Sequence, residues 1–140
     1  MKTIIIFLLL VILLGIISCD EEVVKPINHQ PIIFSLTAFP DVVGPSDSVI
    51  IICNAMDPDA DTLVYDWYTD GKSRIKGAPY YNDWVLYNTS ENSCIVFPKN
   101  VNIIPIDTLW IECSARDGKG GGAVRSVSFI LKYDSLDNQF

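Results

Sequence analysis

The chain has 140 residues, 49% of them hydrophobic, and its 17 acidic and 10 basic residues give a formal net charge of −7. This length suits one domain with a single hydrophobic core. The acidic balance argues against nucleic acids and anionic lipid surfaces as partners, because both are bound through clustered lysine and arginine.

A short apolar segment begins the chain. Lys2 precedes an apolar run over Ile4–Ile17, which is shorter than the ~20 residues of a membrane-spanning helix. With Ser18 after it, this pattern predicts a secretory signal peptide over residues 1–18. Cys19 directly after the small residue resembles the lipobox of bacterial lipoproteins, which implies cleavage before Cys19 and acylation of that cysteine. The alternative is an ordinary signal peptide followed by an unrelated cysteine.

Residues 19–30 contain acidic side chains, Pro26 and His29, and we expect a flexible tether here. The run Asp20–Glu22 resembles the surface-export signal of lipoproteins in one Gram-negative phylum. That resemblance implies a protein displayed on the outer membrane and held there by the acyl chains on Cys19. The alternatives are retention at the inner membrane, as Asp after the cysteine implies in enteric bacteria, and a solvated spacer.

Short β-branched and aromatic runs separated by turn residues follow. They predict strands at 32–39, 48–56, 62–69, 85–87, 93–97, 106–116 and 124–133. Asp70-Gly71 predicts a tight hairpin turn, and the glycine-rich run 117–122 predicts a second hairpin. About seven short strands predict an all-β sandwich over residues 31–133, with residues 134–140 as a C-terminal tail.

Alternation along the strands separates an inner from an outer face. It places Tyr68 and Trp110 on the outside of the sandwich. The inward positions are expected to be Val49, Ile51, Cys53, Ala55, Leu63, Tyr65, Trp67, Leu109, Ile111, Cys113, Ala115, Val127, Phe129 and Leu131.

Two stretches, Ala55–Trp67 and Ile111–Gly121, resemble the central and late motifs of polycystic-kidney-disease-type (PKD) and related immunoglobulin-like domains. The resemblance implies a single Greek-key immunoglobulin-like sandwich. After Trp67 the PKD family continues Asp-Phe-Gly-Asp-Gly, whereas this chain has Tyr68-Thr69-Asp70-Gly71. The wider immunoglobulin-like group therefore stays open as an alternative.

The same resemblance places Cys53 and Cys113 where such sandwiches carry an inter-sheet disulfide packed on a tryptophan. An oxidising compartment allows that bond to persist. The alternative is a pair of small buried thiols. Cys94 remains as a free thiol, and the three cysteines have no histidine nearby that would suggest a zinc site.

Four carboxylates are candidates for a cation site. Asp57, Asp59 and Asp61 share the loop after the second predicted strand, and Asp117 begins the glycine-rich loop. In immunoglobulin-like sandwiches these loops emerge at the same end, and oxygen ligands at alternate positions suit Ca²⁺. The alternative is that these aspartates only form turns through bonds to their own backbone.

Aromatic residues form a second candidate site. Outward rings with carboxylates nearby are typical of sugar-binding surfaces, where rings pack on apolar sugar faces and acids bind hydroxyl groups. The alternative is that the segment from Gly77 to Tyr87 merely covers the edge of the sandwich. The candidate residues are Tyr68, Tyr80, Tyr81, Trp84, Tyr87 and Trp110.

Four triplets read Asp-(Ser/Thr)-aliphatic and resemble the O-glycosylation acceptor of the same Gram-negative phylum. Each triplet also marks a turn that leads into a strand, which is the alternative interpretation. The acceptor residues would be Ser48, Thr62, Thr108 and Ser135.

Catalysis finds little support, because His29, the only histidine, precedes the predicted domain and a nucleophile–histidine system needs one inside it. We therefore expect a non-enzymatic, lipid-anchored binding or adhesion module for a glycan or an envelope protein. The alternative is a spacer or an assembly subunit of an outer-membrane complex, without a ligand of its own.

Overall fold

A computed structural model describes residues 25–79, 82–99 and 106–133. Within these residues the chain forms nine β-strands. They are β1 (Ile32–Phe39), β2 (Val42–Val43), β3 (Val49–Met56), β4 (Val64–Thr69), β5 (Ser73–Ile75), β6 (Val85–Thr89), β7 (Ser93–Pro98), β8 (Ile106–Arg116) and β9 (Gly122–Lys132).

The strands form two sheets, one with four strands in the order β1-β3-β7-β5 and one with five in the order β2-β9-β8-β4-β6. All strand pairs are antiparallel except β2 with β9. The four-stranded order matches strands A, B, E and D of an immunoglobulin domain, and β9-β8-β4 match G, F and C. The expected immunoglobulin-like sandwich is therefore confirmed, with nine strands in place of seven.

The core lies between the two sheets and follows the alternation of the sequence. Along β3, Val49, Ile51 and Cys53 are fully buried, and along β8 the same holds for every second residue from Leu109 to Ala115. Trp67 of β4 is also fully buried and stacks on Tyr65, with ring centroids 6.3 Å apart. Of the positions expected to face inward, Ala55, Leu63 and Val127 are only partly buried and pack against the rim of the core.

The expected disulfide between Cys53 and Cys113 is absent, and both residues are free buried thiols. They approach each other closely enough for a side-chain hydrogen bond, which together with burial raises the pKa of Cys113. Apolar packing therefore holds the sheets together here, and each thiol acts as a small hydrophobic group. Cys94 is likewise buried, and burial raises its pKa to about 12.

The hairpin expected at Asp70-Gly71 is wrong, because β4 and β5 belong to different sheets. Side chains bend the chain into a corner between them: Gly71 N donates to Thr69 Oγ1 at 3.1 Å, and Lys72 N donates to Asp70 Oδ1 at 3.0 Å. Gly71 has a φ of +81°, a conformation that favours glycine. The second hairpin, between β8 and β9, is confirmed by the pairing of Arg116 with Gly122.

Several expectations concern residues that the structure does not describe. The signal peptide, Cys19 and residues 134–140 lie outside the described ranges, as do Tyr80, Tyr81 and Ser135. Within those ranges, no helix combines the length and the apolar character that crossing a bilayer requires.

The state of the thiols yields a direct test. Alkylation of the denatured chain without reductant should label Cys53, Cys94 and Cys113, because none is bonded in this structure. In the native chain at pH 8, Cys94 should react slowly, since it is buried and only about one thiol in ten thousand is ionised when the pKa is about 12. Peptide mass spectrometry measures both results, and a crosslinked Cys53–Cys113 peptide would contradict the first.

Candidate functional site

The outer surface of the five-stranded sheet displays aromatic rings on its central strands. Trp110 lies on β8, the middle strand of this sheet, and its side chain is 44% exposed. Tyr68 on β4 is half-buried and meets Tyr87 of β6 in a T-shaped contact, with ring centroids 5.6 Å apart. The exposure of Trp110 and the partial exposure of Tyr68 agree with the prediction that both side chains point outward.

Polar groups surround these rings. Strand register places Ser128 opposite Trp110, and places Glu112 between Ser126 on β9 and Tyr68 on β4. Burial, with a smaller effect from the Asp66 carboxylate, raises the pKa of the Tyr68 hydroxyl, so this group keeps its proton at neutral pH. We call the surface formed by Tyr68, Tyr87, Trp110, Glu112, Ser126 and Ser128 the aromatic face. It offers flat rings together with hydroxyl and carboxylate groups across four neighbouring strands, a width of about 14 Å.

An ion pair supports one side of the aromatic face. Asp66 is buried on β4 and is held by Arg116, whose Nε lies 2.8 Å and whose Nη2 lies 3.0 Å from the two carboxylate oxygens. Asn88 joins this network by donating its backbone N–H to Asp66 Oδ1 at 2.8 Å. These bonds bridge β8, β4 and the end of β6, and they fix the strand positions that carry Tyr68 and Tyr87.

The remaining aromatic candidate and the glycosylation candidates are more scattered. Trp84 is exposed in the turn before β6, and its carbonyl accepts a 2.9 Å bond from Thr69 N. Thr62 and Thr108 are exposed, whereas Ser48 is half-buried immediately before β3. O-glycosylation at these residues stays a prediction.

The acidic candidates lie where the β3–β4 and β8–β9 loops meet, and the structure groups only three of them. One carboxylate oxygen from each of Asp57, Asp59 and Asp61 lies within 4.8 Å of the other two. Asp117 is engaged separately, because it accepts bonds from Lys119 N at 2.7 Å and Gly121 N at 2.9 Å. The expected four-carboxylate site is therefore reduced to three residues, since Asp117 instead organises the glycine-rich hairpin.

The segment that precedes β1 is bound to these two loops, which sequence reasoning did not anticipate. Asn28 Nδ2 donates to Asp117 Oδ2 at 2.7 Å, and His29 N donates to Asp59 Oδ2 at 2.6 Å. The Asn28 bond, followed by the backbone N–H groups of the hairpin, lowers the pKa of Asp117, and His29 lowers that of Asp59. Residues 28–30, expected to belong to a flexible tether, therefore pack against the domain. The signal in the sequence was the run of polar residues Asn28-His29-Gln30 directly before Pro31, which the structure buries.

Comparison with known proteins gives a limited result. No protein-family model matches the chain, and no curated protein matches it. Among solved structures, the N-terminal Ig1-2 module of the Drosophila receptor protein tyrosine phosphatase DLAR is similar at 16% identity and a TM-score of 0.45. A nucleoside hydrolase-related hypothetical protein from Saccharophagus degradans, associated with carbohydrate metabolism, is similar at 18% identity and a TM-score of 0.43. Each match covers 76% of this chain but only 51% and 26% of the respective neighbour.

Close packing of the N-terminal segment against Gly121 generates a stability prediction. A Cβ at Gly121 would clash with Asp117 Oδ2 and would lie 3.2 Å from the backbone Cα of Gln30. Gly121→Ala should therefore destabilise the domain by about 1–3 kcal/mol, as overpacking usually does. The matched control is Gly122→Ala, whose Cβ meets only ordinary contacts at 3.5 and 3.6 Å. Urea unfolding of both variants measures the difference, and equal midpoints would contradict the packing described.

Proposed function

We propose that the chain is a lipid-anchored envelope protein whose PKD-like sandwich binds glycans on the aromatic face. Exposure of Trp110 on the central strand carries this proposal, because a middle strand offers a flat, rigid platform. Exposed rings with a rim of polar groups are typical of interaction sites. Lipidation at Cys19, cleavage before it and surface display complete the proposal and rest on the lipobox and export-signal resemblances.

The chemistry of the aromatic face suits a sugar better than a purely apolar ligand. Trp110 and Tyr87 present flat ring surfaces, and Tyr87 is 54% exposed. Glu112 accepts hydrogen bonds, while the serine hydroxyls and the protonated Tyr68 hydroxyl both donate and accept them. The surface is open rather than enclosed, which favours an extended polysaccharide over a small molecule.

Affinity electrophoresis against a panel of polysaccharides tests the proposal. The full chain, kept in non-ionic detergent because of its apolar first segment, should be retarded by at least one glycan. Trp110→Ala and Tyr68→Ala should weaken that binding about tenfold, which corresponds to ~1.4 kcal/mol for a lost ring contact. Phe39→Ala is the matched control, because Phe39 is 74% exposed but lies on the other sheet.

Retardation that survives both substitutions would place the glycan elsewhere and overturn this use of the aromatic face. Absence of retardation by every polysaccharide, with the chain still folded, would remove the glycan-binding function.

A second candidate function, an assembly subunit of an envelope complex, is favoured by the outer surface of the four-stranded sheet. Phe39 pairs with Ile50, Thr37 with Ile52 and Ile32 with Met56, and all six side chains are exposed. Arg74 is the one charged residue in the four strands of this sheet, and it stacks over Phe97 at 4.8 Å. A sheet surface so depleted of charge, in a chain with 17 acidic residues, resembles the core of a protein interface.

In this second role the partner would be a protein with an apolar surface and a carboxylate positioned to meet Arg74. A photoreactive phenylalanine analogue at position 52 should then crosslink to an envelope protein in intact cells, and Ile50→Lys in the same chain should abolish the adduct. The matched control places the analogue at position 128, on the aromatic face. Adducts from position 128 alone, or from neither position, would contradict the assembly role.

A further inference from the structure

Two buried carboxylate oxygens in the loop 57–61 have no hydrogen-bond partner. Asp57 is only 6% exposed; its Oδ1 accepts bonds from Asp59 N at 2.8 Å and Asp61 N at 3.3 Å, while its Oδ2 accepts none. Asp61 Oδ2 is also buried and unpartnered. Five buried side-chain polar atoms lack a partner among the described residues, and two of them belong to this loop. Unpaired buried acceptors of charged groups are unfavourable, so something outside the described contacts must satisfy them.

The spacing of the carboxylates fits a single cation. Oxygens from Asp57, Asp59 and Asp61 all lie within 4.8 Å of one another. Ligands on opposite sides of a Ca²⁺ ion, each 2.3–2.6 Å from the metal, are about 5 Å apart. The three oxygens can therefore contact one ion with little rearrangement of the loop.

A positive charge already approaches the cluster. Lys119 Nζ lies 2.6 Å from Asp61 Oδ1, and the bond to Asp61, with smaller effects from Asp59 and Asp57, raises the pKa of this lysine. The lysine side chain is 60% exposed, so it can move away at low cost. Its ammonium bonds the other oxygen of Asp61 and leaves the two buried oxygens unpartnered. The cluster thus attracts cations, and this lysine satisfies it only in part.

Access to the cluster is open. A surface cleft lies between the N-terminal segment and the two loops, and it opens two of the three aspartates, Asp59 and Asp61, to solvent. The cleft is lined by Pro26, Ile27, Asn28, Asp59, Asp61 and Lys119.

We propose that Asp57, Asp59 and Asp61 form a Ca²⁺ site in which Asp57 Oδ2 and Asp61 Oδ2 are direct ligands and the Lys119 ammonium is displaced. Water completes the six to eight oxygens that Ca²⁺ takes. With few protein ligands and an exposed side, the dissociation constant falls in the range of extracellular modules, about 10⁻⁴–10⁻³ M. Asp59 also accepts the bonds from His29, so the ion would stabilise the loop on which the N-terminal segment rests.

Thermal unfolding and titration calorimetry of the full chain in non-ionic detergent test the site. About 10 mM CaCl₂ should raise the unfolding midpoint by roughly 5 °C or more, as expected for a ligand that binds only the folded state. Asp57→Asn and Asp61→Asn should each abolish the shift. Asp41→Asn is the control, because Asp41 is an exposed aspartate outside this loop.

Lys119→Gln separates a metal site from a simple ion pair. If Ca²⁺ displaces the ammonium, this variant should bind Ca²⁺ about threefold more tightly or better, because a competing charge is gone. The proposal is overturned if neither the natural chain nor Lys119→Gln shows heat or a midpoint shift with Ca²⁺. It is equally overturned if folded Asp57→Asn and Asp61→Asn respond to Ca²⁺ as the natural chain does.

Discussion

The structure depends on apolar packing around Trp67, because within the described residues no disulfide joins the two sheets. Trp67 is fully buried, lies opposite Cys113 in the strand register and stacks on Tyr65. Removing a ring of this size from a core typically costs ~3–5 kcal/mol, a large part of the 5–15 kcal/mol that stabilises a domain. Close packing of buried side chains around Trp67 thus maintains the immunoglobulin-like arrangement, at the position where related sandwiches have a disulfide.

The same packing determines which side chains the outer surfaces of the two sheets expose. A strand sends alternate residues to opposite faces, so burying Ile111 forces Trp110 and Glu112 outward, and burying Ile51 does the same to Ile50 and Ile52. The two outer surfaces nevertheless differ in character. The five-stranded sheet mixes rings with hydroxyl and carboxylate groups, whereas the strands of the four-stranded sheet contain no carboxylate at all. One surface suits a polar ligand with flat faces, and the other suits an apolar protein surface.

Sequence reasoning found what depends on local pattern and missed what depends on distant contacts. The long strands β1 and β8 have the predicted bounds, because β-branched runs and flanking turn residues act over a few positions. β2 and β5 have two and three residues, too few for alternation to be visible. The residues at Asp70-Gly71 are typical of a hairpin turn. Only the position of β5 in the four-stranded sheet shows that the chain passes here from one sheet to the other.

The candidate site divides in the same way. Outward placement of Trp110 followed from alternation alone, and the grouping of Asp57, Asp59 and Asp61 followed from their positions in one loop. The hydrogen bond from Asn28 to Asp117 could not be inferred from the sequence, because the two residues are 89 positions apart and no periodicity links them. For the same reason, the lysine that reaches Asp61 from the other loop had no signal in the sequence.

The contacts of the N-terminal segment with the two loops also limit which surfaces of the domain can bind a ligand. Asn28 and His29 bind the two loops at the end of the sandwich where β1 begins. If the chain is anchored through Cys19, this end faces the membrane, and recognition by these loops would be obstructed by the anchor. The aromatic face lies along the side of the sandwich, where it remains open to an extended ligand. With the proposed anchor, this arrangement favours recognition by a sheet surface over recognition by loop tips, and the acidic loop then lies at the junction between the domain and the chain that precedes it.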